Sequence, residues 1–146
     1  MNRRFIFHSE YDLPGPPARV FDALRDVDTW QRWWPQIREI ERYDERRGRV
    51  LIRSFLPLSL DLILTESVVD QSDRRLRADI AGDLVGWSQF HVKPGNDGGT
   101  RLIFDQVSVV TKRGAATAAP FFRMAFVANH RVMMSSGMRR LARHTA

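Results

Sequence analysis

The sequence predicts an α+β fold, a seven-stranded curved antiparallel sheet around one long C-terminal helix, with two short helices after the first strand. Three observations carry this. Residues 120–143 hold no internal proline and a single glycine, Gly137, and repeat apolar side chains at spacings of three and four. Six segments of apolar-polar alternation, punctuated by turn residues, fill the chain from Ile37 to Thr111. One more alternating segment and two short helical stretches precede them.

Taken in order, Phe5, Phe7, Ser9, Tyr11 and Leu13 fall on one side of residues 3–13 and Ile6, His8, Glu10 and Asp12 on the other, which makes a half-buried strand. Pro14-Gly15-Pro16-Pro17 breaks it, and proline pre-sets the start of a helix over residues 18–25 with Val20, Phe21 and Leu24 inward. Asp26 or Asp28 is the expected cap of a second helix, residues 29–34, stopped by Pro35. Strands are then expected over residues 37–43, 49–56, 58–69, 74–81, 84–94 and 100–111. The breaks between them fall at Asp44 to Gly48, Pro57, Gln71-Ser72-Asp73, Gly82-Asp83 and the glycine-rich turn from Gly95 to Gly99. The small residues of 112–119 connect to the long helix. At 1.5 Å per residue that helix spans roughly 36 Å. Its inner face is expected to carry Phe122, Phe126, Asn129, Met133 and Arg140, with Val127, Met134, Met138 and Leu141 forming a second strip. A twisted sheet closing on one rod leaves space between them, and internal pockets of this kind hold apolar ligands.

The 146 residues suit one domain spanning 1–146, and 43% hydrophobic content fits a globular chain. The absence of cysteine removes disulfides and thiolate chemistry, and His8, His91, His130 and His144 have no ligand spacing, so no metal or cofactor is expected. All but two of the 23 basic residues are arginines, Lys93 and Lys112 being the lysines. Their scatter reads as a solvated basic surface with no specific nucleic acid partner. The clusters Arg46, Arg47, Arg49 and Arg74, Arg75, Arg77 keep surface binding to nucleic acid or anionic membrane as an alternative. Arg3-Arg4-Phe5 begins like an export signal, but His8, Glu10 and Asp12 interrupt the apolar stretch behind it. With no run of ~18 apolar residues, the expected location is the cytoplasm.

One stretch resembles a known family. Pro16-Pro17-Ala18-Arg19-Val20-Phe21 leads to Asp26-Val27-Asp28-Thr29-Trp30 and on to Trp33-Trp34-Pro35. This is similar to the N-terminal signature of the polyketide cyclase/dehydrase and lipid-transport family of the START-like (SRPBCC) superfamily. Lys93-Pro94, the glycine turn and Thr100-Arg101-Leu102 look like that family's penultimate hairpin, and the long last helix matches too. The glycine pair of the Hsp90-activator-like branch is missing, which favours the cyclase-like branch. The resemblance implies a helix-grip fold. It leaves activity open, because the superfamily holds cyclases, lipid carriers and hormone receptors alike.

Under that reading the cavity takes a small hydrophobic molecule, a lipid, polyketide or aromatic metabolite. Tyr11, Trp33, Trp34, Leu62, Phe90, Phe104, Gln106, Phe122, Phe126, Asn129 and Met133 are the expected contacts. The tryptophans equally suit a plug at the barrel end. Leu102, Phe104, Gln106, Ser108 and Val110 take the inner face of the last strand. Buried there, the Gln106 amide requires a partner, from Asn129, a water or a ligand oxygen, since leaving it unpaired costs roughly 1–3 kcal/mol. Glu66, in phase with Leu60, Leu62 and Leu64, and Arg53 are the weaker candidates for catalysis, as acid/base and as a cavity cation. His130 is expected exposed or at the helix edge. The alternative to binding is an aromatase/cyclase or dehydratase using the same pocket. Monomer and homodimer are both compatible, and residues 112–119 with the loops near Trp34 are the expected gates.

Overall fold

A computed structural model describes residues 4–53, 59–112 and 120–146. Strand β1 (Arg4–Leu13) leads to helix α1 (Pro17–Arg25), a 3-10 turn (Val27–Thr29) and helix α2 (Trp30–Trp33). Strands β2 (Ile37–Arg42), β3 (Arg47–Arg53), β4 (Ser59–Asp70), β5 (Arg75–Gly82), β6 (Leu84–Pro94) and β7 (Thr100–Val110) follow, and helix α3 (Pro120–Thr145) comes last. The expected break at Pro57 and residues 113–119 of the connector lie outside the described residues.

The seven strands form one antiparallel sheet in the order β1-β7-β6-β5-β4-β3-β2. Each step after the first is a hairpin between chain neighbours, and β1 closes against β7 over ten residue pairs from Arg4↔Val109 to Leu13↔Thr100. Two register shifts bend the sheet, one between Ile37 and Glu39 and one between Glu66 and Val68. Bulges of this kind add local twist, which helps a sheet curl about a rod.

Pro17 occupies the first turn of α1, where its missing N–H costs nothing. The expected aspartate cap is not made. Asp26 precedes the 3-10 turn without a side-chain bond, and its carbonyl accepts the Thr29 hydroxyl at 2.8 Å. The helix expected over 29–34 is accordingly split into the 3-10 turn and the single turn of α2.

The core has two parts. Trp33, Trp34, Val20, Phe21 and Leu24 pack with Leu102, Met134, Met138 and Leu141, while Phe5, Leu60, Leu62, Ile80, Leu84, Val110 and Phe126 form the second cluster. Phe7, Ile52 and Leu64 touch both. On α3 the buried row runs Phe126, Met134, Gly137, Met138, Leu141 and Thr145, whereas Arg140 is exposed. Expecting Arg140 inside follows from a seven-residue spacing (126, 133, 140), which drifts by ~20° per heptad around a straight helix.

Gly137 fixes how α3 meets the tryptophans. A methyl group at its Cα would collide with Trp34 Nε1, so the indole rests on bare helix backbone. From that seat Trp34 Nε1 donates to the Met133 carbonyl at 3.1 Å. Trp33 stacks on Trp34 with centroids 5.3 Å apart, and Trp30 Nε1 donates to the Leu24 carbonyl. The Trp30–Trp34 segment thus ties α1 and α3 together across the end of the sheet.

Candidate functional site

Two adjoining chambers lie on the inner face of the sheet, an inner one under α3 and an outer one under the Leu24–Trp30 segment. The inner one measures about 80 Å³. Its walls are Ile52, Leu60, Leu62 and Ile80 from the middle strands, Phe104 and Gln106 from β7, Trp34, and Phe126, Asn129, His130, Met133 and Met134 from α3. The outer chamber, about 120 Å³, opens among charged side chains: Arg25, Asp28, Arg42, Glu45, Arg46, Arg47, Glu66 and Arg77. Trp30, Val50, Leu64, Ser88 and Phe90 line both chambers and mark the neck where they adjoin. The interior is greasy because the inward residues of the strands are mostly apolar. The mouth is polar because Arg25 at the end of α1, Asp28 after it, Arg42 at the end of β2, and Glu45 to Arg47 at the β2–β3 turn meet there with Glu66 and Arg77.

Besides the indole nitrogens of Trp30 and Trp34, which donate to backbone carbonyls, four side chains bring polar atoms to the inner chamber's wall. Gln106, on the buried face of β7, donates through Nε2 to Ser108 Oγ at 3.1 Å. Its hydrogen-bond partner is therefore its neighbour two residues along the strand, which faces the same way. Asn129 is 8% exposed on α3, and Ser88 sits on the neck. The fourth is His130. Its ring lies flat on Phe7, centroids 3.6 Å apart and planes within 10°, and tilts toward Phe104 at 5.8 Å. Nε2 is shut off from solvent and has no hydrogen-bond partner among the described residues. Burial pushes its pKa down to about 4, so the ring is neutral at pH 7.

His130, expected exposed or at the helix edge, is half-buried and lines the inner chamber. Continuing from Phe126 in steps of four gives 130, 134 and 138, and this row faces inward. The row was readable in the sequence, but the partner was not, because Phe7 lies 123 positions away on β1.

Of the sequence-derived candidates, Trp34, Leu62, Phe90, Phe104, Gln106, Phe126, Asn129 and Met133 meet around the inner chamber. Three others stand off its wall. Tyr11 is on the inner face of β1 but packs against the cluster that holds Val20, Phe21, Leu102, Met138 and Leu141, and it lines neither chamber. Trp33 is buried behind Trp34. Phe122 stacks on Phe126 at 5.9 Å and backs the wall from the helix start. Glu66 is half-buried at the outer mouth beside the β4 bulge, where its carbonyl accepts Arg46 Nη2 at 2.9 Å. Arg53 ends β3 exposed and lines neither chamber.

The arginine clusters are largely engaged. Arg49 makes a two-pronged bond to Asp61 at 2.7 and 2.8 Å, Arg75 pairs with Asp73, and Arg77 lies 4.0 Å over the Trp87 ring. Among the described residues no three histidines, aspartates or glutamates gather as a metal site, and no helix is long and apolar enough to cross a membrane.

A curved sheet gripping a terminal helix over an internal cavity defines the helix-grip class. The chain belongs to the polyketide cyclase/dehydrase and lipid transport family, whose model matches residues 4–146. The same fold is seen in the Zhui aromatase/cyclase from a Streptomyces species, with TM-score 0.83, 11% identity, and 97% of this chain and 93% of that one covered. It recurs in the protein TTHA0849 from Thermus thermophilus, with TM-score 0.80, 18% identity and 97% of both chains covered. A conserved protein from Geobacillus kaustophilus also shares it, with TM-score 0.80, 15% identity, and 97% and 95% covered. At these identities the likeness concerns the fold. No curated protein matches the sequence.

Proposed function

We propose that the protein binds a small hydrophobic molecule, of the lipid, polyketide or aromatic kind, in the cavity between the sheet and α3. On this reading residues 1–146 act as one binding unit in the cytoplasm. The observation that carries the proposal is the combination of an apolar inner chamber with a neck and a charged mouth. Such a space favours a ligand that leaves water for the interior, at about 25 cal/mol per Å² of apolar surface removed. Family membership supports the same reading, since the family's description joins lipid transport to cyclase and dehydrase activity.

Ser88 offers the test. It is the small residue on the neck shared by both chambers. Ser88→Trp fills the passage and is expected to lower the affinity for an apolar fluorescent probe at least tenfold while the protein still melts cooperatively. Unchanged probe binding by a folded Ser88→Trp protein contradicts binding in this cavity.

A second reading, cyclisation or dehydration of a bound polyketide, is favoured by one feature: a neutral imidazole, His130, beside the amides of Gln106 and Asn129 on one wall. A neutral imidazole can hydrogen-bond a ligand carbonyl or enol as donor or acceptor, although a pKa of about 4 makes it a weaker base than an ordinary histidine. Incubation with a poly-β-keto thioester separates the readings, because a carrier returns the thioester unchanged and a cyclase gives a ring product that His130→Phe fails to form.

A further inference from the structure

Resting on that binding role, we propose that His130 selects ligands bearing a hydroxyl oxygen, placing that oxygen at the deep wall of the inner chamber against Nε2. Among the described residues four buried side-chain atoms have no hydrogen-bond partner: Trp33 Nε1, Gln36 Oε1, Arg75 Nε and His130 Nε2. Only His130 belongs to a residue on the wall of either chamber. A buried ring nitrogen without a partner is unfavourable, and a ligand oxygen that reaches it recovers that cost on binding.

The ring is held in place by stacking. Phe7 lies against one face and Phe104 flanks it, so the imidazole has little freedom to turn out to solvent. The inner chamber's wall carries no other titratable side chain, which keeps His130 free of a charged neighbour there. A neutral imidazole has one donor and one acceptor nitrogen. An alcohol or phenol both donates and accepts, and therefore satisfies Nε2 in either tautomer; a carbonyl satisfies only one, and a methyl group neither. The flat aromatic surfaces of Phe90 and Phe104, 5.1 Å apart by centroid, favour a planar phenol over a chain alcohol.

The test uses a matched pair of probes, 2-naphthol and 2-methylnaphthalene, which share shape and differ in the hydroxyl. Binding is read by calorimetry or by quenching of Trp30 and Trp34, which line the inner chamber. Wild type is expected to prefer the naphthol roughly tenfold after correction for transfer from water, the size of one buried hydrogen bond. In His130→Phe, which keeps a flat ring on Phe7, the preference falls to about one; in His130→Gln, which restores a polar atom, part of it returns. In wild type the His130 ring nitrogen resonance shifts with naphthol and stays put with methylnaphthalene, a readout that needs no variant. A naphthol preference that survives His130→Phe, or a resonance blind to the hydroxyl, overturns the inference while leaving cavity binding intact. Failure of wild type to bind either probe overturns cavity binding itself, and the inference with it.

Discussion

At the scale of single residues, His130 ties stability to pH as well as lining the cavity. Its ordinary pKa of 6.5 falls to about 4 on burial. Between those values the unfolded chain takes up a proton that the folded protein refuses, so stability is full above pH 6.5 and declines as pH drops toward 4. The loss is on the order of 3 kcal/mol over that interval. Chemical denaturation at pH 7 and pH 4.5 should show wild type losing more stability than His130→Phe; equal losses contradict a buried neutral ring. The exposed His8 does not confuse this comparison. Asp105 and Glu10 raise its pKa above the ordinary value, so its contribution is present throughout the acidic interval and is lost only as pH rises.

At the scale of elements, the contact that sets α3 against the rest is Trp34 lying on Gly137. Alanine is normally the better helix residue by ~1 kcal/mol. Here the added methyl runs into the indole, and neither the helix backbone nor the stacked Trp33 gives way easily. Gly137→Ala should therefore destabilise the protein by about 1–3 kcal/mol, against the propensity trend. Thermal melts at pH 7 decide it, and an unchanged or raised Tm argues against the seat. The strands were legible in the sequence because their inward residues alternate and their turns are marked by Gly95 to Gly99, Gly82-Asp83 and Gln71-Ser72-Asp73. The inner wall of α3 was legible in part. Phe126, Asn129 and Met133 followed from spacing, whereas Arg140 is exposed because the seven-residue repeat 126, 133, 140 drifts around the helix, and His130, expected exposed or at the helix edge, lines the chamber. The division of residues 27–33 into a 3-10 turn and one helical turn depends on Trp30 and Trp34 reaching Leu24 and Met133, contacts that no local pattern reports.

At the scale of the whole molecule, two core clusters leave a partly filled space between them. Phe7, Ile52 and Leu64 join the clusters without closing it, and the small side chain of Ser88 stands where the two chambers adjoin. Which side chains reach the chamber depends on where the twisted sheet is covered. Tyr11 illustrates this: it has the correct alternation, yet it packs against the core cluster of Val20, Phe21 and Leu141 and lines neither chamber. Sequence alternation gives the face of a strand, and the long-range pairing of β1 with β7 gives what that face meets.

Native mass spectrometry of the protein purified from its own host, followed by denaturing analysis of whatever is released, tests cavity binding most directly. The expected result is a bound hydrophobic molecule at up to one per chain, carrying at least one hydroxyl oxygen and absent from Ser88→Trp prepared in parallel. Recovery of the same molecule in equal amount from wild type and a folded Ser88→Trp protein would contradict the account.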